Sequence, residues 1–217
     1  MVPRRQPLRL KDEALELLGE RALHWPRLGL LAVADLHWGK TESFHQHGIA
    51  LPEGVLETDL ARLDEALATT GATRLLLVGD LVHSARAMTR EVVERISRWR
   101  RGHEHLHVTL IRGNHERHVK ALPDAWRMDV AEEYVDEGPF RFAHHPEPVE
   151  GRYVWAGHLH PVVTLRSGVE HLRLPCFHVA SRVATLPAFS AFTGGMPVSR
   201  RPGERVFAVV EDRVLEV

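Results

Sequence analysis

Ten side chains able to bind a metal follow apolar runs in this sequence. Residues 30–34 (LLAVA) lead into Asp35 and His37, residues 75–78 (LLLV) into Gly79 and Asp80, and residues 108–111 (VTLI) into Gly113, Asn114, His115 and Glu116. Residues 140–143 (FRFA) lead into His144 and His145, and residues 153–156 (YVWA) into Gly157, His158 and His160. Two divalent ions held about 3.5–4 Å apart need one small anionic ligand that spans both, and neutral imidazole and amide ligands that do not cancel the metals' charge. Asp35, His37, Asp80, Asn114, His144, His158 and His160 meet that need, with Asp80 expected between the two ions. The set has no thiolate, which disfavours structural zinc, and is too rich in nitrogen for calcium or for magnesium alone. Mn²⁺, Fe²⁺, Zn²⁺ or Co²⁺ suits it. On an extended segment, the i, i+2 spacing of Asp35 with His37 and of His158 with His160 turns each pair to one side.

The order Asp-x-His, Gly-Asp, Gly-Asn-His-Glu, His, Gly-His-x-His stands here as DLH, GD, GNHE, HH and GHLH across residues 35–160. It resembles the calcineurin-like metallophosphoesterase superfamily. The resemblance implies an α/β fold, a four-layered α/β/β/α sandwich with two metals at the strand ends. It puts Asp35, His37, Asp80 and His160 on one metal, and Asp80, Asn114, His144 and His158 on the other. The superfamily usually has Gly after its fourth-block His; this chain has His145, so His144 and His145 compete, and His144, which directly follows the strand, is the expected ligand. The resemblance makes His115 the residue that stabilises the transition state and protonates the leaving oxygen. The chemistry asks for the same group, because a metal-activated hydroxide attacking phosphorus in line leaves an alkoxide that needs a proton. Lys40, His83 and Arg117 are the expected contacts to a substrate phosphate.

Further blocks, ADLHWGK at 34–40, GHLHP at 157–161, LPCF at 174–177, LPAF at 186–189 and FTGG at 192–195, resemble a bacterial subfamily, the ligase-associated DNA damage response endonucleases PdeM. Membership implies a manganese-dependent phosphodiesterase or DNA endonuclease, working beside a DNA ligase, a helicase and an exonuclease in repair, on single-stranded or damaged DNA. A small-molecule phosphodiesterase or nucleotide hydrolase shares every metal ligand and differs in its cleft. A metal-bound scaffold for a repair complex is disfavoured by the intact block at 113–116, and a metal-storage protein predicts variable stoichiometry.

The elements that must position these groups follow from periodicity. Residues 14–18 read as a short strand or equally a helical turn, 22–25 and 30–34 as short strands, and 35–51 as a polar and aromatic loop with Trp38, Lys40, Glu42, His45 and His47, the near wall of a substrate site. Pro52 opens a helix to about residue 69 with Leu56, Leu60, Leu63 and Leu67 on one stripe, and Thr89 caps another to about 101 with Val92, Ile96 and Trp99 buried. Strand, helix, strand, helix, strand predicts a parallel sheet covered by helices. Residues 118–138 read as a helical turn, a short strand and an acidic loop. Strands are then expected at 140–143, 153–156, 162–166, 169–174, 183–186, 205–210 and 213–217, with hairpin turns at Ser167-Gly168 and Glu211-Asp212. Residues 192–195 read as a turn between strands or a loop closing over the site, and Cys176 as a small core residue.

With 217 residues, 44% hydrophobic and 26% charged, the chain suits one globular domain over 1–217 with a substantial core. Its net charge of −1 supplies no global attraction to nucleic acid or membrane. Locally, residues 86–127 hold ten Arg/Lys against five Asp/Glu, whereas 129–150 hold one Arg against seven acids. Arg90, Arg95, Arg98 and Arg101 read as the solvated face of a helix; Arg100, Arg101, Arg112 and Arg117 are the candidates for a phosphate-tracking surface. One cysteine excludes an internal disulfide framework, no apolar run reaches the length of a spanning helix, and the N-terminus lacks a signal peptide's apolar stretch, so a cytoplasmic protein is expected. Apolar edge strands in the C-terminal half suit a homodimer.

Overall fold

The structure, a computed structural model, describes residues 3–46, 52, 54–167, 170–191 and 193–217. Its first sheet runs in chain order: β1 (Arg5–Leu10), β2 (Glu13–Leu18), β3 (Leu23–Trp25), β4 (Leu30–Ala34), β5 (Arg74–Val78), β6 (His107–Ile111) and β7 (Asp129–Ala131). β1 to β4 form an antiparallel meander, and β4 to β7 are parallel. The switch follows from the connections: tight turns join the first four, whereas α2 (Val55–Thr70) carries the chain from β4 to β5 and α3 (Arg90–Gly102) from β5 to β6. Between β4 and α2 stands α1 (Lys40–Gln46).

Period-two alternation divides the central strands between two cores. Leu31, Val33, Leu75, Leu77, Val108 and Leu110 pack against Leu56, Leu63 and Leu67 of α2 and Val92, Ile96 and Trp99 of α3. Leu30, Ala32, Ala34, Leu76, Val78 and Ile111 face the second sheet through Phe140, Phe142, Tyr153, Trp155, Phe177 and Phe207. Burial on both faces is why these strands read as unbroken apolar runs. The second sheet comprises β8 (Tyr134–Glu137), β9 (Phe140–Ala143), β10 (Tyr153–Ala156), β11 (Pro161–Ser167), β12 (Glu170–Val179), β13 (Val183–Thr185), β14 (Met196–Pro197), β15 (Arg205–Val210) and β16 (Arg213–Glu216). Its path is β14-β11-β12-β13-β10-β9-β8, with β15 on β12 and β16 on β15. This is an α/β architecture, two mixed sheets face to face with helices on the first.

Several elements differ from expectation. β1 was not expected, because RQPLRL has little apolar content; it turns only Leu8 fully inward and holds Pro7 at a sheet edge, where a missing donor is tolerated. α1 replaces part of the expected loop, and its seven residues are too few for a helical period to stand out. β12 continues through Pro175, where its pairing passes from β11 to β15. His47, Gly168 of the expected hairpin turn and Phe192 lie outside the described residues, as does the side chain of His45. None of the described helices is long and apolar enough to cross a membrane.

Candidate metal centre

The ends of β4, β5, β6, β9 and β10 meet where the two sheets join, and the loops after β4 and β5 are laced together by main-chain bonds. Asp35, His37 and Trp38 donate their N–H groups to the carbonyls of Gly79, Asp80 and Leu81 at 3.2, 2.8 and 2.8 Å. Asp35, His37, Asp80, His158 and His160 all have left-handed backbone, with φ between 47° and 69°. The expected extended geometry of the two i, i+2 pairs is therefore corrected: a left-handed turn at each donor presents both side chains, while the intervening Leu36 is buried in the helix-side core. Left-handed non-glycine residues cost on the order of 1 kcal/mol or more each, and their concentration here marks a built site.

Two clusters result. In one, His37 Nε2 lies 3.2 Å from His160 Nε2, and His160 Nε2 lies 3.5 Å from Asp35 Oδ1. Two nitrogens each about 2.1 Å from one ion at ordinary ligand angles stand roughly 3.0–3.4 Å apart, so this pair is spaced for a single metal. In the other, His144 Nε2 lies 2.8 Å from Asn114 Oδ1, 3.1 Å from His158 Nδ1 and 3.5 Å from Asp80 Oδ1. Asp80 stands between them: Oδ1 faces His144, while Oδ2 is 4.0 Å from His37 Nε2 and 3.8 Å from His115 Nε2. Asp35, Asp80 and His144 also have ligand atoms within 4.8 Å of one another. His144 is buried among these groups; His145 is exposed, with its ring 4.5 Å from that of His158. The structure thus brings all seven sequence-derived donors together, with His145 at the margin.

Tautomers and charges suit a metal. A carbonyl only accepts, so the 3.1 Å contact of His160 Nδ1 with Gly194 O fixes the hydrogen on Nδ1 and turns the Nε2 lone pair inward. Burial, with the imidazoles of His160 and His115 nearby, lowers His37 to about 2, which keeps it neutral. Burial lowers His144 and His158 as well. His160 moves upward: burial pulls it down, but the carboxylate of Asp35 more than offsets this. The ring nitrogens that face the cluster are Nε2 of His37 and of His144, each within 3.5 Å of another donor atom; their Nδ1 atoms, buried without hydrogen-bond partners, are the other nitrogen of each ring. The lowered imidazoles of His37, His144 and His158 and two buried carboxylates fit divalent ions.

His115 stands beside the cluster, its Nδ1 2.5 Å from the carbonyl of His83 and its main-chain N–H donated to Asp80 Oδ1 at 3.0 Å. His83 lies against it, ring centroids 5.3 Å apart, and burial lowers its pKa. Lys40 is half-buried at the start of α1, its pKa lowered by burial, and Arg117 is exposed on a cleft beside Asn114 and His144.

Three supports were not assigned from sequence. Glu116, fully buried, accepts from the N–H groups of Asp80, Val82 and Gly113 at 3.1, 3.0 and 2.8 Å; its place in the GNHE block was the available signal. Gly79 has φ +75°, and a Cβ there would overlap the His144 imidazole. Residues 186–190 run beside the end of β4, with Phe189 N–H on Ala34 O at 2.8 Å, held by Arg62 on the Phe189 carbonyl at 2.6 Å and Arg21 on the Ser190 carbonyl at 3.1 Å.

No family model and no curated protein matches this chain. Among solved structures it is similar to a nuclease from Pseudomonas putida, MPE, with 37% identity, 98% of this chain and 100% of that chain covered, and a TM-score of 0.87. It is also similar to a phosphoesterase from E. coli, Yfce, with 17% identity, 87% of this chain and 97% of that chain covered, and a TM-score of 0.46. Identity at the first of these levels over the whole of both chains, on a fold whose strand ends gather these donors, places the chain in the metallophosphoesterase superfamily, as a metal-dependent phosphoesterase.

Proposed function

We propose that this phosphoesterase hydrolyses phosphodiester bonds in DNA as a two-metal endonuclease. The observation that carries the two-metal reading is Asp80, whose two oxygens face different imidazole clusters. Asp35, His37, Asp80 and His160 would hold one ion and Asp80, Asn114, His144 and His158 the other, with manganese the leading metal. When bound, such ions supply Lewis acidity toward the phosphoryl oxygens and activate water. The chain's own part is proton delivery and orientation. The bond to the His83 carbonyl occupies His115 Nδ1, so the proton that His115 exchanges sits on Nε2, which faces the cluster and is the one available to a leaving oxygen. Lys40, His83 and Arg117 are the proposed phosphate contacts. The likeness to a nuclease supports nucleic acid as substrate; the PdeM-like blocks support DNA and a setting beside a ligase, a helicase and an exonuclease.

The test is metal-stripped protein plus Mn²⁺, given bis-p-nitrophenyl phosphate and labelled single-stranded DNA circles in parallel, with Asp80→Ala and His115→Ala as controls. Cleavage of both substrates by the wild type, lost on the circles in both variants, is expected. Diester turnover with intact circles redirects the reading to a small-molecule phosphodiesterase. No turnover of either across several metals overturns it.

A further inference from the structure

We infer that the cleft on the Asn114–His144 side of the centre is a subsite for one strand of nucleic acid, with phosphates on Arg117 and Lys120 and a base stacked on Tyr134. The inference rests on the nuclease reading and extends it to the path of the substrate. The cleft has a volume of about 820 Å³ and reaches Asn114 and His144 themselves. That is toward the upper end of the roughly 300–1,000 Å³ of small-ligand pockets, room for more than a single phosphate.

Its lining carries both signs of charge. Arg112 is committed to the protein, bonded to Glu132 at 3.0 Å and to the carbonyls of Glu116 and Val119. Arg117 and Lys120 are exposed, and among the described residues their side chains make no hydrogen bond or ion pair. Two uncommitted cations beside a phosphoryl-transfer centre are placed for backbone phosphates on the substrate's flank.

The same lining carries Glu132, beside Arg112, and Glu133, Tyr134, Arg141 and Glu147. The carboxylates repel phosphate, so the backbone keeps to Arg117 and Lys120 and the bases turn toward Tyr134, where a carboxylate accepts from exocyclic amino groups. Tyr134 is 43% exposed, and its register partner on β9 is Ala143, the residue before His144. The Arg141 guanidinium lies 3.5 Å from the ring centroid and is itself held by Asp136 at 2.7 and 2.8 Å, which fixes the plane of the ring. A pre-set aromatic ring, paired across strands with the residue before a candidate metal ligand, is a stacking platform. Paired bases in a duplex offer no free face to it, so the site selects a single strand.

The test compares KM and kcat for a single-stranded oligonucleotide and for bis-p-nitrophenyl phosphate in wild type, Tyr134→Ala, Tyr134→Trp and an Arg117→Ala/Lys120→Ala double variant. Tyr134→Ala is expected to raise the oligonucleotide KM about tenfold relative to that for the diester, and Tyr134→Trp to restore it. The double variant is expected to reduce the slope of log affinity against log salt by about 1.4, two phosphate contacts on a single strand. A wild type that cuts the oligonucleotide, with an unchanged KM ratio in Tyr134→Ala or an unchanged salt slope in the double variant, overturns the subsite alone. A wild type that turns over only the diester overturns the nuclease reading and the subsite together.

Discussion

At the scale of single residues, His115 and Asp80 make separable predictions although Asp80 Oδ2 and His115 Nε2 lie only 3.8 Å apart. Asp80 is assigned to both metals, so Asp80→Ala is expected to lower bound metal from about two ions per chain, read by elemental analysis after dialysis. His115 is assigned to the leaving oxygen. His115→Ala is expected to keep its metal and lose roughly 10²–10⁴-fold in kcat on a diester with an alkyl leaving group. On p-nitrophenyl esters, whose leaving group departs without help, the loss should be much smaller. Equal losses on both esters would remove His115 from proton transfer. The donors were readable because each follows an apolar run. Their left-handed backbone was not, since DLH and HLH fit an extended segment equally well.

At the scale of elements, the loops are held by buried groups that never touch substrate. Burial pushes Glu116 upward, and three main-chain N–H groups oppose that shift, as they would for an ionised acceptor. Glu116→Gln replaces one accepting oxygen with a donor facing donors, and a loss of about 2–4 kcal/mol in urea unfolding is expected. Gly79→Ala should cost the His144 cluster its metal before it costs the fold, because the added methyl meets the imidazole and not the sheet core. Asp59 on α2 is raised to about 6, by burial, against the pull of Arg62, Ser190 and Arg21. An acid with a raised folded-state pKa holds its proton longer in the native state, so stability falls as pH rises from the unfolded value near 4 to about 6. Across that window, metal-stripped Asp59→Asn should gain on the wild type by up to about 3 kcal/mol. A difference that is flat, or that drifts the other way, would remove Asp59 as the cause.

At the scale of the whole molecule, both sheets feed the centre. Asp35, Asp80 and Asn114 come from the ends of the first sheet, and His144, His158 and His160 from the ends of the second. Ions bound across that junction tie the sheets together and favour the native state. At one hundred times its dissociation constant, a ligand contributes about 2.7 kcal/mol, roughly 5–10 °C in midpoint for a chain of this size. Mn²⁺ added to metal-stripped protein is therefore expected to raise the melting temperature by that order, and EDTA to reverse it. An unchanged midpoint at saturating Mn²⁺ would count against a centre shared by both sheets.

Much of this was written locally. The apolar runs of β4, β5 and β6 announce strands buried on both faces, the leucine stripe at 56, 60, 63 and 67 announces α2, and Thr89 does cap α3, accepting from Val92 N–H at 3.3 Å. Donor identity and order are equally local, because each block is a few residues long. Other features depended on neighbours distant in sequence. Arg5–Leu10 becomes a strand because Glu13–Leu18 pairs with it residue for residue, and Pro175 stays in β12 because Ala208 pairs with the next residue, Cys176. His144 was expected over His145 because it directly follows the strand; the contacts that bury it come from Asn114, thirty residues earlier, and Asp80 on the other sheet. Sequence lists which groups the chain possesses, but the direction in which a side chain faces is set by the elements packed around it. That is why the donors were legible one by one and Asp80 could be expected between two ions, whereas which of its oxygens faces which imidazole cluster was decided only once both sheets were in place.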